Sequence, residues 1–232
     1  MNKPLLSRVF SGSRWQAFLA YLGAGGRRRR QPIADRASLQ GFLSTRASHV
    51  AQTSLYGYLK TRAGTRFPEL FASDAFLKSI NLAKWNTWLA CLSDVAVYAG
   101  GLVAARSGAP QAEVGDLMAA TVEAILLDMG IPGDAGPEYP QLADEVRERL
   151  RTCDWASVKD DESPFSESPG ALVRWAPVID EFKRLDGEIV RNSVRFRWQD
   201  VRRDLRRDLD AEALIGTVRE ASRHPASAAD GA

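Results

Sequence analysis

Residues 73–106 form the longest stretch of the sequence with an unbroken helical rhythm and few charges. Apolar side chains recur in it at spacings of three and four residues, which is the pattern of one broad buried helix face. Ser73 can cap the start, and Gly108 followed by Pro110 is a stop signal. The pattern predicts a central helix that other helices cover. Its main apolar positions are Trp85, Trp88, Leu92, Val95, Ala99 and Leu102.

A second line of side chains runs beside this apolar stripe. Cys91, Asp94 and Tyr98 are three and four residues apart, so one side of the helix carries all three. Asp94 is the only formal charge between Lys84 and Arg106. A carboxylate in apolar surroundings needs a partner or a raised pKa. The favoured interpretation is a buried ion pair with an arginine of a neighbouring helix. The alternative is a ligand or catalytic pocket lined by these three residues.

The same stretch also has the dimensions of a transmembrane helix. The span 85–105 is long enough to cross a bilayer, and its tryptophans lie at one end, as in an interface belt. Asp94 falls near the middle of that span and opposes insertion by about 2.5–3.5 kcal/mol. A core helix is therefore the preferred interpretation over a membrane span.

The charge of the chain is unevenly distributed. The whole sequence has 31 basic and 29 acidic residues, yet residues 1–34 contain seven basic residues and no acid, which leaves 24 basic against 29 acidic in the remainder. Short apolar runs in this leader precede four consecutive arginines, Arg27, Arg28, Arg29 and Arg30. Such a composition suits contact with an anionic membrane surface, and it also fits an organellar transit peptide. A solvated arm and a nucleic-acid contact are the other interpretations, and nucleic acid is the less favoured partner.

Helical patterns continue on both sides of the central stretch. Residues 35–63 predict a helix with a possible break near 52–54, and 110–129 predict another. A short helix over 141–152 contains Glu145 and Arg149, which are spaced to pair with each other. The acidic, serine-rich segment 158–170 predicts an exposed, mobile loop.

Residues 169–210 form the last long helical run, which Pro177 can kink or split. An apolar stripe passes through Ile179, Phe182, Leu185 and Ile189, and a second begins at Val194. Arginine and aspartate alternate in the second half, which is typical of a solvated or partner-facing helix. The candidate residues for a partner helix are Arg195, Trp198 and Arg202.

Motifs of known chemistry are missing from the sequence. Two cysteines, Cys91 and Cys153, give no disulfide framework and suit a reducing compartment, and two histidines cannot build a histidine-rich metal site. No nucleophile elbow, phosphate-binding loop or zinc-binding helix signature occurs. The sequence therefore predicts no catalytic residue, no metal and no cofactor, and it leans away from an enzyme.

Together these patterns predict an all-α protein, an irregular bundle of about six to seven helices around residues 73–106. The predicted organisation is a basic leader over 1–34, an all-α domain over 35–210, and a C-terminal extension over 211–232 that becomes disordered toward its end. The predicted function is a non-catalytic binding or assembly protein, cytoplasmic and peripheral on a membrane, with a protein partner. A helical enzyme or a binder of small hydrophobic ligands is the alternative, and nucleic-acid binding is the third.

Overall fold

The computed structural model of the chain describes residues 32–223, and within that range it is a bundle of α-helices without strands. Seven helices are longer than one turn. They are α1 (Arg36–Ala63), α2 (Asp74–Ser107), α3 (Gln111–Met129), α4 (Tyr139–Arg151), α5 (Glu167–Trp175), α6 (Asp180–Asp208) and α7 (Ala211–Arg223). Short helical turns at Gly64–Arg66, Phe67–Leu70 and Trp155–Ser157 complete the set. The predicted all-α bundle is confirmed.

Helix α2 lies at the centre of the bundle, as the sequence predicts. The Ser73 side chain accepts a hydrogen bond from the backbone N–H of Phe76, and Gly108 ends the helix in the left-handed conformation with a φ of 60°. Every residue from Cys91 to Val103 is buried. A helix that is buried on all sides must be covered all round, and α1, α3, α4, α5 and α7 pack against it.

By length and composition α2 is long and apolar enough to cross a membrane. Within the bundle, 83% of its most apolar window is buried by the surrounding helices. The core helix of a bundle has the same character, because an apolar segment of this length also fills the centre of a domain.

Two adjacent glycines let another segment approach α2 closely. A Cβ atom at Gly100 would lie 2.2 Å from the Trp155 ring, and one at Gly101 would lie 2.3 Å from the Val158 side chain. No side chain larger than hydrogen fits at these positions without displacing its neighbour. Trp155 is itself only 3% exposed, so these contacts seal one side of α2.

Helix α6 lies on the outside of the bundle, where it packs on α1 and α5. Arg46 of α1 pairs with Asp204 near the end of α6 at 2.8 Å, and Arg62 at the end of α1 pairs with Asp186 near its start. Because the two pairs lie far apart along α6, they fix its position on α1 at two points. The face of α6 that points away from α1 and α5 is left without cover among the described residues.

The structure decides two local alternatives, at 52–54 and at Pro177, and corrects one local prediction, the exposed loop. Helix α1 continues through 52–54 without a break, because Gly41 and Gly57 are both accommodated inside it. The predicted run 169–210 is two helices separated at 176–179, as Pro177 allows. The segment 158–170 is only partly exposed, since Pro164, Phe165, Ser168 and Pro169 are buried.

The ends of the described chain are tied into the bundle. Ile33 forms a parallel bridge with Leu209, in which its N–H donates to the carbonyl of Asp208 and its carbonyl accepts from Asp210. In α7, Leu214 and Ile215 are buried, and this helix packs on α2. The predicted boundaries at residues 34 and 210 remain predictions, and residues 1–31 and 224–232 lie outside the described range.

Candidate functional site

Asp94 is a carboxylate buried in the central helix, with a side chain that is 0% exposed, and such a group is costly to bury without partners. Arg149 of α4 donates to its Oδ1 through Nη1 at 2.8 Å. The backbone N–H groups of Glu167 and Ser168 donate to the two carboxylate oxygens at 3.1 and 2.8 Å. These N–H groups belong to the first turn of α5, where the helix has unsatisfied donors and a partial positive charge. Asp94 therefore caps α5 from a neighbouring helix, as well as forming an ion pair.

Arg149 joins several elements around this carboxylate. It also donates to the hydroxyl of Ser93 at 2.9 Å and to the carbonyl of Pro164 at 2.8 Å. The predicted pair with Glu145 is therefore wrong, because Arg149 turns inward to Asp94. The favoured interpretation of Asp94, a buried pair with an arginine of a neighbouring helix, is confirmed. Burial raises the pKa of Asp94, while Arg149 and the Ser168 donors act in the opposite direction.

Cys91 and Tyr98 lie on the same side of α2 as Asp94, as their spacing predicts, but each has a structural environment. Cys91 is fully buried, and burial together with the nearby charge of Asp94 raises the pKa of its thiol well above the usual value. A thiol in that state is a poor nucleophile. The Tyr98 hydroxyl donates to Asp160 at 2.6 Å, and burial followed by this contact raises its pKa to about 12.

An aromatic stack joins this side of α2 to α6. Phe165 lies between Tyr98, at 5.2 Å between ring centres, and Trp198, at 4.7 Å. Trp198 donates through Nε1 to the hydroxyl of Ser168 at 3.0 Å and is 1% exposed. Phe165 was missed by the sequence analysis, because nothing distinguishes one aromatic residue in an acidic, serine-rich segment.

A groove opens beside the Asp94–Arg149 pair, between α2, α4 and α5, with a volume of about 960 Å³. Its walls include Leu89, Ala90, Leu142, Val146 and Trp175, and its polar lining includes Asn86, Ser93 and Arg149. Cys91, Asp94 and Tyr98 do not line it. Asn86 is 2% exposed, and its side-chain amide has no hydrogen-bond partner among residues 32–223. The sequence contains no signal for Asn86, which reads as one polar residue interrupting an apolar helix.

The three residues predicted to face a partner helix are separated by the structure. Trp198 and Arg202 make contacts within the chain, because Arg202 donates to the carbonyl of Asp160 at 2.9 Å. Arg195 lies outside on α6, beside Glu188 at 3.5 Å and Asn192 at 2.9 Å. The four arginines Arg27, Arg28, Arg29 and Arg30 lie outside the described residues.

The first part of the predicted stripe of α6 does not belong to the core, whereas the second part, which begins at Val194, is buried as predicted. Ile179, Leu185 and Ile189 are 59%, 69% and 73% exposed, and Phe182 is 37% exposed. The buried positions of α6 are instead Gly187, Val190, Val194, Trp198, Val201, Asp204 and Leu205. Helix α6 packs on α1 and α5 through these positions, so Leu185 and Ile189 face outward, while the ring of Phe182 lies against the guanidinium of Arg62 on α1 at 4.5 Å. Phe196 extends this exposed set and is 69% exposed.

These features define the class of the protein as an all-α helical bundle with a closed ion pair at its centre, an open groove beside it and an apolar outer helix face. Residues 32–223 contain no cluster of three or more histidine, cysteine or acidic side chains placed to hold a metal ion. Compared with known protein families, curated proteins and solved structures, the chain matches none.

Proposed function

We propose that the protein is a non-catalytic binding or assembly protein, and that the outer face of α6 is where it meets a protein partner. The observation that carries this proposal is the exposed apolar face of α6, formed by Phe182, Leu185, Ile189 and Phe196. Scattered apolar residues are normal on a protein surface, whereas several on one face mark an interaction site. We call these four residues the α6 face.

The spacing of these residues supports recognition of another helix or groove. They lie at positions 182, 185, 189 and 196, so they recur on one side of the helix over about four turns. An amphipathic helix that presents such anchors docks by its apolar side. The pairs Arg46–Asp204 and Arg62–Asp186 hold the helix on the bundle, so ordering the α6 face costs little at the moment of binding.

The polar residues of the central helix support a non-catalytic role. Asp94 accepts three hydrogen bonds from within the fold, and Tyr98 donates to Asp160. A general acid or nucleophile must reach a substrate, and these groups are occupied by structural partners.

A membrane surface is the second part of the proposal. It is supported by the sequence of the leader, which has seven basic residues, no acid and apolar runs before Arg27–Arg30. The α6 face and the leader would then have separate partners, a protein and an anionic lipid surface.

The experiment for the α6 face is site-specific photo-crosslinking in the native host. A photoreactive phenylalanine analogue replaces Phe196 in one variant and Leu127 in the control, which is similarly exposed at 71% on α3. We expect a discrete protein adduct from position 196 and none from position 127. The same adduct pattern from both positions, or none from 196, would contradict the proposal.

The groove favours a second candidate function, binding of a small hydrophobic ligand. Its walls are mainly apolar, and the unpartnered amide of Asn86 lies at its border. A buried amide without partners costs about 1–3 kcal/mol, so a ligand that bonds to it would recover stability. The test uses Nile red as a neutral probe. We expect Ala90→Trp to fill the groove and reduce probe fluorescence, and Ala119→Trp on an exposed site to leave it unchanged.

A further inference from the structure

We propose that the partner of the α6 face is a second copy of this chain, docked so that the two α6 helices run antiparallel. This inference rests on the proposed function and specifies the partner. It is argued from the register of the apolar residues, from the charges along α6, and from the way α6 is fixed to its own bundle.

The α6 face has the spacing of a helix that pairs with another helix. Phe182, Leu185, Ile189 and Phe196 occupy alternating intervals of three and four, with Asn192 filling the remaining position. This is a heptad pattern over two repeats, and such a pattern packs side chains into the holes of a facing helix. A single polar residue within the seam, here Asn192, fixes the register of the pair.

The charges of α6 are divided along its length. Its first eleven residues contain four acids and two bases, and its remaining eighteen contain seven bases and three acids. In an antiparallel pair, the acidic half of each helix lies against the basic half of the other. In a parallel pair, the acidic halves of the two helices would lie side by side, and so would the basic halves, which is unfavourable. The helix is therefore complementary to itself in one orientation.

A specific register follows from these two patterns. If Ile189 faces Asn192 of the second copy, then Leu185 faces Phe196, and both contacts occur twice by symmetry. The same register brings Glu188 near Arg195 of the second copy. Both side chains lie at the edge of the α6 face, 71% and 38% exposed, and they pair with each other at 3.5 Å within one chain, so the dimer would exchange this pair for the same pair between copies.

The remainder of the structure keeps this face accessible. The opposite side of α6 is buried on α1 and α5, and Asp186 and Asp204 are held by arginines of α1. Asp186 therefore does not compete for the arginines that border the seam, whereas Asp204 also pairs with Arg203 and Arg207 of its own helix. Two helices of this length form an interface at the lower end of the specific range, about 1,000 Å² in total, so we expect dissociation at concentrations on the order of micromolar.

The first test is sedimentation equilibrium of the full chain from low to high micromolar concentration. We expect a reversible dimer, and we expect Ile189→Glu to weaken it about tenfold or more, because each copy would then bury a charge against Asn192 of the other. Leu127→Glu is the matched control, since it replaces another exposed apolar residue outside α6 and should leave the dimer unchanged. A chain that stays monomeric, or a dimer that is insensitive to Ile189→Glu, overturns the inference.

The second test is a charge exchange that reports the orientation. Glu188→Arg should weaken the dimer, and the double variant Glu188→Arg with Arg195→Glu should restore it, because the pair is re-formed between copies. A parallel pair would instead place Arg195 beside Asp200 of the second copy. Weakening by Asp200→Arg without rescue in the double variant would overturn the antiparallel arrangement.

The photo-crosslinking variant at Phe196 separates this inference from the proposed function. An adduct between two copies supports both. An adduct with a different protein supports the proposed function and overturns the second copy as partner. An adduct with residues 1–31 of the same chain shows that the leader covers the α6 face, and it overturns both.

Discussion

Arg149 on α4 donates a 2.8 Å hydrogen bond to Asp94, a carboxylate of the central helix whose side chain has no exposed surface. Arg149 is itself 24% exposed, so the pair connects the surface of the bundle with its core. The same carboxylate accepts hydrogen bonds from the first backbone N–H groups of α5. One side chain thus joins α2, α4 and α5.

Removal of this carboxylate should destabilise the whole bundle. Asp94→Ala leaves Arg149 and two backbone N–H groups without their acceptor, and breaking a buried pair in this way costs about 3–5 kcal/mol. Glu145→Ala is the control, because Glu145 is exposed and makes no ion pair with Arg149; it should change stability by less than about 0.5 kcal/mol. Urea unfolding followed by circular dichroism measures both. Equal losses in the two variants would contradict the role assigned to Asp94.

Two glycine-to-alanine substitutions should have opposite signs. Gly100→Ala places a Cβ atom 2.2 Å from Trp155, so it should destabilise the fold by about 1–3 kcal/mol through overpacking. Gly41→Ala meets nothing within 4 Å, and it should stabilise α1 by about 0.5–1 kcal/mol because alanine favours a helix. The measurement is the free energy of unfolding of each variant. Stabilisation by Gly100→Ala would show that Trp155 does not pack on α2 as described.

The attachment of α6 to α1 should weaken in acid. Hydrogen bonds from Arg62, and one from Tyr58 at 3.1 Å, hold the pKa of Asp186 below its ordinary value. Because the folded pKa is lower than the unfolded one, the contribution of this contact to stability is present above the unfolded pKa, about 3.9, and is lost as pH falls through the folded value.

Comparison of melting temperatures across pH tests this expectation. Asp186→Asn should lower the melting temperature at pH 7, and the difference from the unchanged protein should shrink as the pH falls below about 4. Glu181→Gln, on the exposed side of the same helix, is the control. A difference for Asp186→Asn that does not depend on pH would contradict the assigned ion pair.

Replacement of the four arginines Arg27–Arg30 by alanine should reduce binding to vesicles that contain phosphatidylserine. Each basic residue near an anionic surface contributes about 1 kcal/mol at physiological salt, so the loss should be large and should decrease as salt is added. Replacement by lysine keeps the charge and should preserve binding. Unchanged vesicle binding by the alanine variant would refute the lipid contact. Stronger, salt-dependent binding to DNA than to vesicles would favour the nucleic-acid alternative.

The central helix could be predicted because its apolar pattern and its capping residues are both local features of the sequence. An unbroken apolar rhythm over 73–106 requires cover on all sides, and caps at Ser73 and Gly108 fix its ends. The sequence predicts that the partner of Asp94 is an arginine of a neighbouring helix, but it does not show that this arginine is Arg149. Sequence spacing suggests that Arg149 pairs with Glu145, whereas in the fold Arg149 pairs with the buried carboxylate of Asp94. Leaving that buried charge without a partner would cost more than leaving Glu145 unpaired at the surface.

The orientation of α6 could be predicted from the sequence of its second half, where the stripe from Val194 is buried, but not from that of its first half. The helix has two apolar stripes, one through Leu185 and Ile189 and another through Val190, Val194 and Val201. In the first half of the helix the residues of the first stripe are larger than Gly187 and Val190, so residue size there favours the first stripe. The structure buries the second, which also contains Trp198 and packs on α1 and α5. Only the surface of α1 and α5 decides between the stripes, and that surface is formed by residues distant in sequence.

The bridge between Ile33 and Leu209 fixes the point at which the leader joins the bundle. Arg30 is three residues before Ile33, so at most about 10 Å of chain separates Arg30 from the bridge beside the end of α6, and about 20 Å separates Arg27 from it. That end carries Arg206 and Arg207. The two basic segments, far apart in sequence, are therefore tethered to one end of the bundle. If two copies pair in antiparallel fashion, the tethers leave from opposite ends of the paired helices, and the dimer would touch a flat surface at two separated points.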